Sequence, residues 1–281
     1  MGNSKKNKAL FTISGLFLVT VSLVGAGTGI TSVLNKFTEP EPQTQVAKPS
    51  DSNTKINNMP TTEQLTFIEN SVNYKLKNMQ YNGHGAYIIN NNKSTLVAKN
   101  NTKPFASNQV DSKKRPTTAD AFITKQTRQY KNREETNNGR SNWTPLGWHQ
   151  LTNLPGKYKY AYNRGHLLGY ALVGNIKGYD ASESNEKNII TQTSWANQAN
   201  SPTNTGQNYY ESLVRKAADK NKKIRYQVKA IYSKSDYNIV PYGTQIQAKS
   251  TDNSLEFNVF IPNAQGNINI DYDSGKARPN Y

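Results

Sequence analysis

The chain contains three histidines, and His166 closes the string Asn163-Arg164-Gly165-His166. An imidazole is the side chain that most readily exchanges a proton near neutral pH, and it acts as a base only when unprotonated. Arg164 offers a fixed positive charge with a planar fork suited to phosphate, and Gly165 permits a backbone conformation denied to other residues and lets a phosphate approach closely. Together these residues suit phosphodiester hydrolysis, which requires an activated water, charge compensation on the phosphate and stabilisation of the departing oxygen. By residue type alone the string also reads as an Asn-Arg-Gly turn leading to a histidine that is only a satisfied polar side chain.

Two further strings bear on the same chemistry. Residues 188–200, NIITQTSWANQAN, are rich in side-chain amides and contain no acid; an asparagine oxygen is a weak but acceptable ligand for Mg²⁺. The plainer reading is a polar helix edge. Glu211 follows Tyr209 and Tyr210 and stands four residues before Arg215, which fits a surface ion pair on a helix as well as a catalytic carboxylate. The chain has no cysteine. Disulfides, thiolate metal sites and a cysteine nucleophile are therefore excluded, and any metal must be held by oxygen and nitrogen ligands. His84, in NGHGAY, and His149, in GWHQ, are expected in structural or surface roles.

The charge balance points to a polyanionic partner. Thirty-five basic residues face 19 acidic ones, a net charge of +16 over 281 residues. Six lysines and three acids fall in residues 1–60, which leaves +13 on the remainder. Such a field concentrates and steers polyanions, nucleic acid before teichoic acid or anionic lipid. Arg128, Arg140, Lys157, Lys159 and Arg215 are candidates to line the substrate path.

The elements that must position these residues follow from periodicity. Lys5, Lys6 and Lys8 form a short basic flank over residues 1–8, before the uncharged apolar stretch 9–34. That stretch is long enough to span a membrane, with its N-terminus expected in the cytoplasm and the remainder outside; a signal peptide cleaved near Val24-Gly25-Ala26 is the alternative. Residues 35–60 read as a disordered linker, and 61–281 as one folded domain. Within it, 61–79 reads as a helix capped by Thr62, 85–99 as a hairpin, 119–130 as a short helix and 206–221 as an amphipathic helix. The segments 224–232, 244–250, 255–263 and 267–273 read as antiparallel strands.

NRGHLLGYALVG, NIITQTSWANQ and TGQNYYESLVRKA, with RQYKNRE and WTPLGWHQ upstream, together resemble the DNA/RNA non-specific endonucleases of the ββα-metal class, including their membrane-anchored DNA-entry branch. The resemblance runs from about Tyr81 to the C-terminus and includes the anchor-and-linker layout. It implies an α+β, ββα-metal fold: a central, mostly antiparallel sheet with flanking helices, carried here behind an N-terminal transmembrane helix. It further implies an endonuclease that cleaves DNA, and RNA as well, with little sequence preference, leaving 5′-phosphates.

By the same resemblance His166 is the general base, Asn197 the single direct ligand of Mg²⁺ (with Mn²⁺ as substitute), and Glu211 an acceptor of hydrogen bonds from the metal's waters. Asn188 is a further active-site asparagine, Arg133 holds a phosphate and Arg164 belongs to the catalytic signature. Two departures stand out: the signature's usual aspartate is Asn163, which can reach the metal only through water, and Glu134 stands where a second basic residue is usual. These departures keep open a catalytically impaired surface receptor for DNA. A basic cell-wall-binding module leaves His166, Asn197 and Glu211 unexplained.

Overall fold

The computed structural model describes residues 58–139, 141–234 and 237–281. The expected flank, apolar stretch and most of the linker lie outside them, and no helix among the described residues is long and apolar enough to cross a membrane. Helix α1 (Thr62–Val72) is capped by Thr61, not by Thr62. Thr61 accepts from the Gln64 backbone N–H at 3.2 Å, and the Gln64 carboxamide accepts from the Thr61 N–H at 3.0 Å, a reciprocal cap. The helix ends at Val72, short of the expected Met79, and buries Leu65, Ile68 and Val72.

A seven-stranded sheet forms the frame. Its strands are β1 (Gln80–Tyr81), β2 (Tyr87–Ile88), β3 (Phe105–Val110), β4 (Pro116–Ile123), β9 (Ile224–Ile231), β10 (Gly243–Ser250) and β11 (Glu256–Pro262), in the order β1-β2-β11-β10-β9-β4-β3. Every pairing in it is antiparallel. The pleat sends Tyr226, Val228, Ile246, Ala248 and Val259 into the main core, where they meet Tyr210, Val214 and Ala218 of helix α4 (Gln207–Asp219). Alternate residues Ile231 and Phe260 join Tyr87 and α1 in a second core.

Three expectations are corrected. Residues 119–130 are not a helix: 116–123 form β4, paired on both sides, and a single 3₁₀ turn follows at Lys125–Thr127. Ala119, Ala121 and Ile123 face the core with period two, so sheet pairing overrides the helical preference of alanine. The 85–99 hairpin does not form either. Asn90, Asn91 and Asn92 all take left-handed φ (50°, 51° and 62°) and end the strand. The actual hairpin joins β2 to β1. Of 267–273, only β12 (Ile268–Ile270) is strand, paired with β13 (Ala277–Pro279) outside the main sheet.

The remaining unit positions the chemistry. Strand β5 (Tyr162–His166) pairs antiparallel with β6 (Ile189–Thr193), which runs directly into helix α3 (Ser194–Gln198). Two buried amides dock this ββα unit onto the sheet: Asn263 accepts from the Thr193 N–H at 2.7 Å, and Gln265 from the Trp195 N–H at 2.8 Å. Trp195 is fully buried, and its indole meets Gly85, which has φ +106°. A Cβ at Gly85 would lie 2.5 Å from that ring. The strained φ and the overlap together predict that Gly85→Ala destabilises the fold by about 3 kcal/mol, read as a lower urea midpoint at an unchanged slope; an unmoved midpoint contradicts this docking.

Candidate active site

The Asn-Arg-Gly stretch is not a turn but extended strand, with His166 as the last residue of β5 opposite Ile189. Gly165 is required for a different reason from the one its motif suggests: a Cβ there would stand 2.3 Å from the Gln192 side-chain oxygen on β6. His166 Nε2 lies 2.9 Å from Glu211 Oε1, a bond that joins the end of β5 to helix α4. Glu211 is only 4% exposed, and Gln207, one turn earlier, donates to the same Oε1 at 3.1 Å and to the His166 carbonyl at 2.6 Å. Arg215, one turn later, places NH1 3.5 Å from Glu211 Oε2.

Burial alone would raise the Glu211 carboxyl. The charge and hydrogen bond of His166, the Gln207 amide and Arg215 outweigh it and hold the group below its ordinary value. An ionised Glu211 can only accept, so Nε2 of a neutral His166 must donate to it, and Nδ1 keeps the free lone pair. The pair is tightly enclosed. A Cβ on Gly169 would lie 3.0 Å from Glu211 Oε2 and 3.1 Å from His166 Nε2.

His166, Asn197 and Arg133 stand between two lobes of one cleft, of about 380 and 270 Å³. The larger lobe adds Asn163, Arg164, Trp148, Tyr160 and Glu183; the smaller adds Gly169, Asn208, Glu211 and Arg215. Two arginines in it are held in the same way. Arg164 donates from Nε to the Trp143 carbonyl at 2.6 Å and lies 5.2 Å from the Trp148 ring. Arg133 donates from NH1 to the Ala181 carbonyl at 2.9 Å and lies 4.5 Å from the Tyr170 ring. Fixing a guanidinium by one carbonyl and one ring leaves its other N–H groups for phosphate oxygens. Burial lowers the Arg133 guanidinium from its ordinary value, opposed by Glu183, Tyr170 and Glu134.

Among the described residues the Asn197 carboxamide has no protein hydrogen-bond partner, and it is open to the cleft. Asn163 accepts from the Ser194 hydroxyl at 2.9 Å, which ties β5 to the start of α3. No cluster of three or more histidine, aspartate or glutamate side chains able to hold a metal occurs among the described residues. A single neutral oxygen at Asn197 with retained waters therefore fits a hard cation.

Asn188 is placed beneath the site, not in it. It is 1% exposed, accepts from the Leu168 N–H at 2.9 Å and from Asn108 at 3.0 Å, and donates to the Leu168 carbonyl, so it fixes the backbone just after His166. Of the other basic candidates, Arg215 lines the cleft. Arg128 is buried against Asp219 at 2.7 Å, and Lys157 and Lys159 are exposed away from the lobes. Arg140 lies outside the described residues. Exposed Glu134 lines neither lobe. His84 and His149 are exposed and also lie outside the cleft.

Gln207 was not singled out by its residue type. Its position four residues before Glu211 on one helix face was the available signal. The depressed Glu211 carboxyl has a stability consequence. Its contribution is complete above the ordinary value of 4.5 and is lost as pH falls below it. Glu211→Gln should therefore cost about 1–3 kcal/mol of urea stability at pH 7, with the deficit narrowing toward pH 3; a deficit independent of pH contradicts an ionised Glu211.

With this geometry, a model of the DNA/RNA non-specific endonuclease family matches residues 84–277. The solved structure of NucA from Streptococcus agalactiae with magnesium bound is 44% identical, with a TM-score of 0.72 over 78% of this chain and 98% of that one. The same nuclease with no metal bound gives 43% and 0.69 over 81% and 100%. Sda1 nuclease with bound zinc shares the fold at 17% identity, with a TM-score of 0.53 over 71% and 98%. The β5-β6-α3 unit on an antiparallel sheet fits the ββα-metal nuclease fold, and the chain belongs to the DNA/RNA non-specific endonuclease family, hydrolases of phosphodiester bonds.

Proposed function

We propose that the chain is a Mg²⁺-dependent endonuclease that acts outside the cell on DNA, and on RNA as well, with little regard for sequence. The observation that supports this most is His166, set between the two lobes with Nε2 engaged by a buried carboxylate. Nδ1 takes a proton from the attacking water, and the water oxygen bonds to phosphorus as the bond to the 3′ oxygen breaks, leaving a 5′-phosphate. Arg133 and Arg164 hold the phosphate oxygens from opposite aromatic supports. Contacts to phosphates position a strand without reading it, in keeping with low sequence preference.

Asn197 would bind the Mg²⁺ directly, with Asn163 and Glu211 Oε2 reaching its waters; Mn²⁺ would substitute. When bound, the ion supplies positive charge for the phosphate and for the departing oxygen. Because Glu211 Oε1 already serves His166 and Gln207, and Asn163 brings no charge, affinity for the ion should be weak. NucA, which is similar to this chain, binds magnesium. The apolar stretch 9–34 would anchor the chain with its catalytic domain outside the cell, or would be removed on export to leave a secreted enzyme.

Asn163 in place of a carboxylate supports the second reading, a surface receptor that binds DNA and has lost cleavage. One experiment separates the two. The full-length chain should nick plasmid DNA in millimolar Mg²⁺, stop in excess EDTA, and lose about 10²–10⁴-fold in rate as His166→Ala while keeping salt-sensitive DNA binding. Turnover in excess EDTA would sink the metal assignment, and salt-sensitive binding with no cleavage by the parent would establish the receptor.

A further inference from the structure

Arg133 and Arg164 are prepared alike, each by one backbone carbonyl and one aromatic ring. They differ in one respect. Glu183 places Oε1 3.7 Å from Arg133 Nε, whereas Arg164 has no acidic partner among the described residues. Glu183 arises from the segment that also supplies the Ala181 carbonyl, so a single loop presents Arg133 with both its neutral anchor and its counter-charge. The Glu183 side chain is 31% exposed and lines the larger lobe together with His166 and Asn197. A carboxylate presents to a guanidinium the same paired oxygens that a phosphate does.

Resting on the nuclease reading, we propose that Glu183 is an internal competitor for the Arg133 phosphate subsite, displaced by the substrate's phosphate when nucleic acid binds. The incoming phosphate takes over the Arg133 charge from Glu183, whose Oε1 stands 3.7 Å from Nε, and the freed carboxylate then repels it. In a domain this basic, long polyanions would otherwise be held tightly in the ground state, which lowers KM without raising kcat. The product also carries a terminal phosphate with more negative charge than the diester it came from. A nearby carboxylate favours its departure.

The test uses the full-length chain and a fluorescein-labelled single-stranded DNA oligonucleotide, with anisotropy in EDTA so that binding is measured apart from cleavage. E183Q should tighten Kd about two- to fivefold, the range of a partly exposed ion pair. It should also steepen the dependence of log Kd on log salt by about one unit, since no freed carboxylate reclaims a counterion. The control is E186Q, which removes an exposed acid outside the cleft and should change Kd less. An unchanged or weaker Kd for E183Q, or equal tightening by E186Q, overturns the proposal. A parallel titration of cleavage against Mg²⁺ provides a second decision: a raised Mg²⁺ requirement in E183Q assigns the carboxylate to the metal's waters and likewise overturns it. Failure of the parent to cleave rejects the nuclease reading alone, because the binding comparison does not depend on turnover.

Discussion

The hydrogen bond from His166 to the buried carboxylate that Glu211 projects from helix α4 is the constraint on which the rest of the site depends. An ionised carboxylate out of water costs several kcal/mol unless donors surround it. Gln207, His166 and Arg215 surround Glu211 from three directions, and two of them lie one turn away on either side along the same helix. Satisfying that one charge sets the rotation of α4 about its axis and the point where β5 must end. Gly169 is part of the same solution, since a Cβ there would crowd both members, at 3.0 Å from Glu211 Oε2 and 3.1 Å from His166 Nε2.

From that fixed pair the cleft follows. Asn188 holds the backbone beyond His166, Asn163 and Ser194 join β5 to α3, and Asn263 and Gln265 dock α3 on the sheet. Each of these clamps is a neutral amide or hydroxyl, so the acids that line the cleft are Glu183 and Glu211 alone among the described residues. The ring-stacked arginines then supply charge without conformational search, which lowers the ordering cost of gripping a flexible strand.

Much of this was legible in the sequence, and the misses have physical causes. His166, Asn197 and Glu211 line one lobe, a grouping the sequence carried only through its family resemblance, since His166 and Glu211 are 45 residues apart and meet only when β5 lies against α4. Thr61 was displaced by Thr62 as the cap although Gln64, three residues on, marks Thr61. Residues 119–130 read as a helix because alanines at alternate positions satisfy a helix locally and a strand only when neighbours on both sides pair with them. The family resemblance implied an active-site place for Asn188, and its position under the His166 backbone depends on Asn108 and Leu168, distant in sequence. Glu183 gave no local signal at all, since only the fold brings it to Arg133.

The central claim is that Glu211 fixes the protonation of His166, with hydrogen on Nε2 and the lone pair on Nδ1. Nitrogen-15 NMR of histidine-labelled protein measures this directly, with His166 assigned by loss of its signals in His166→Gln from a chain of only three histidines. The account predicts the Nε2–H tautomer for neutral His166, shifting to a mixture in Glu211→Gln. A dominant Nδ1–H tautomer in the parent would contradict it, because the nitrogen assigned to accept the water's proton would already be occupied.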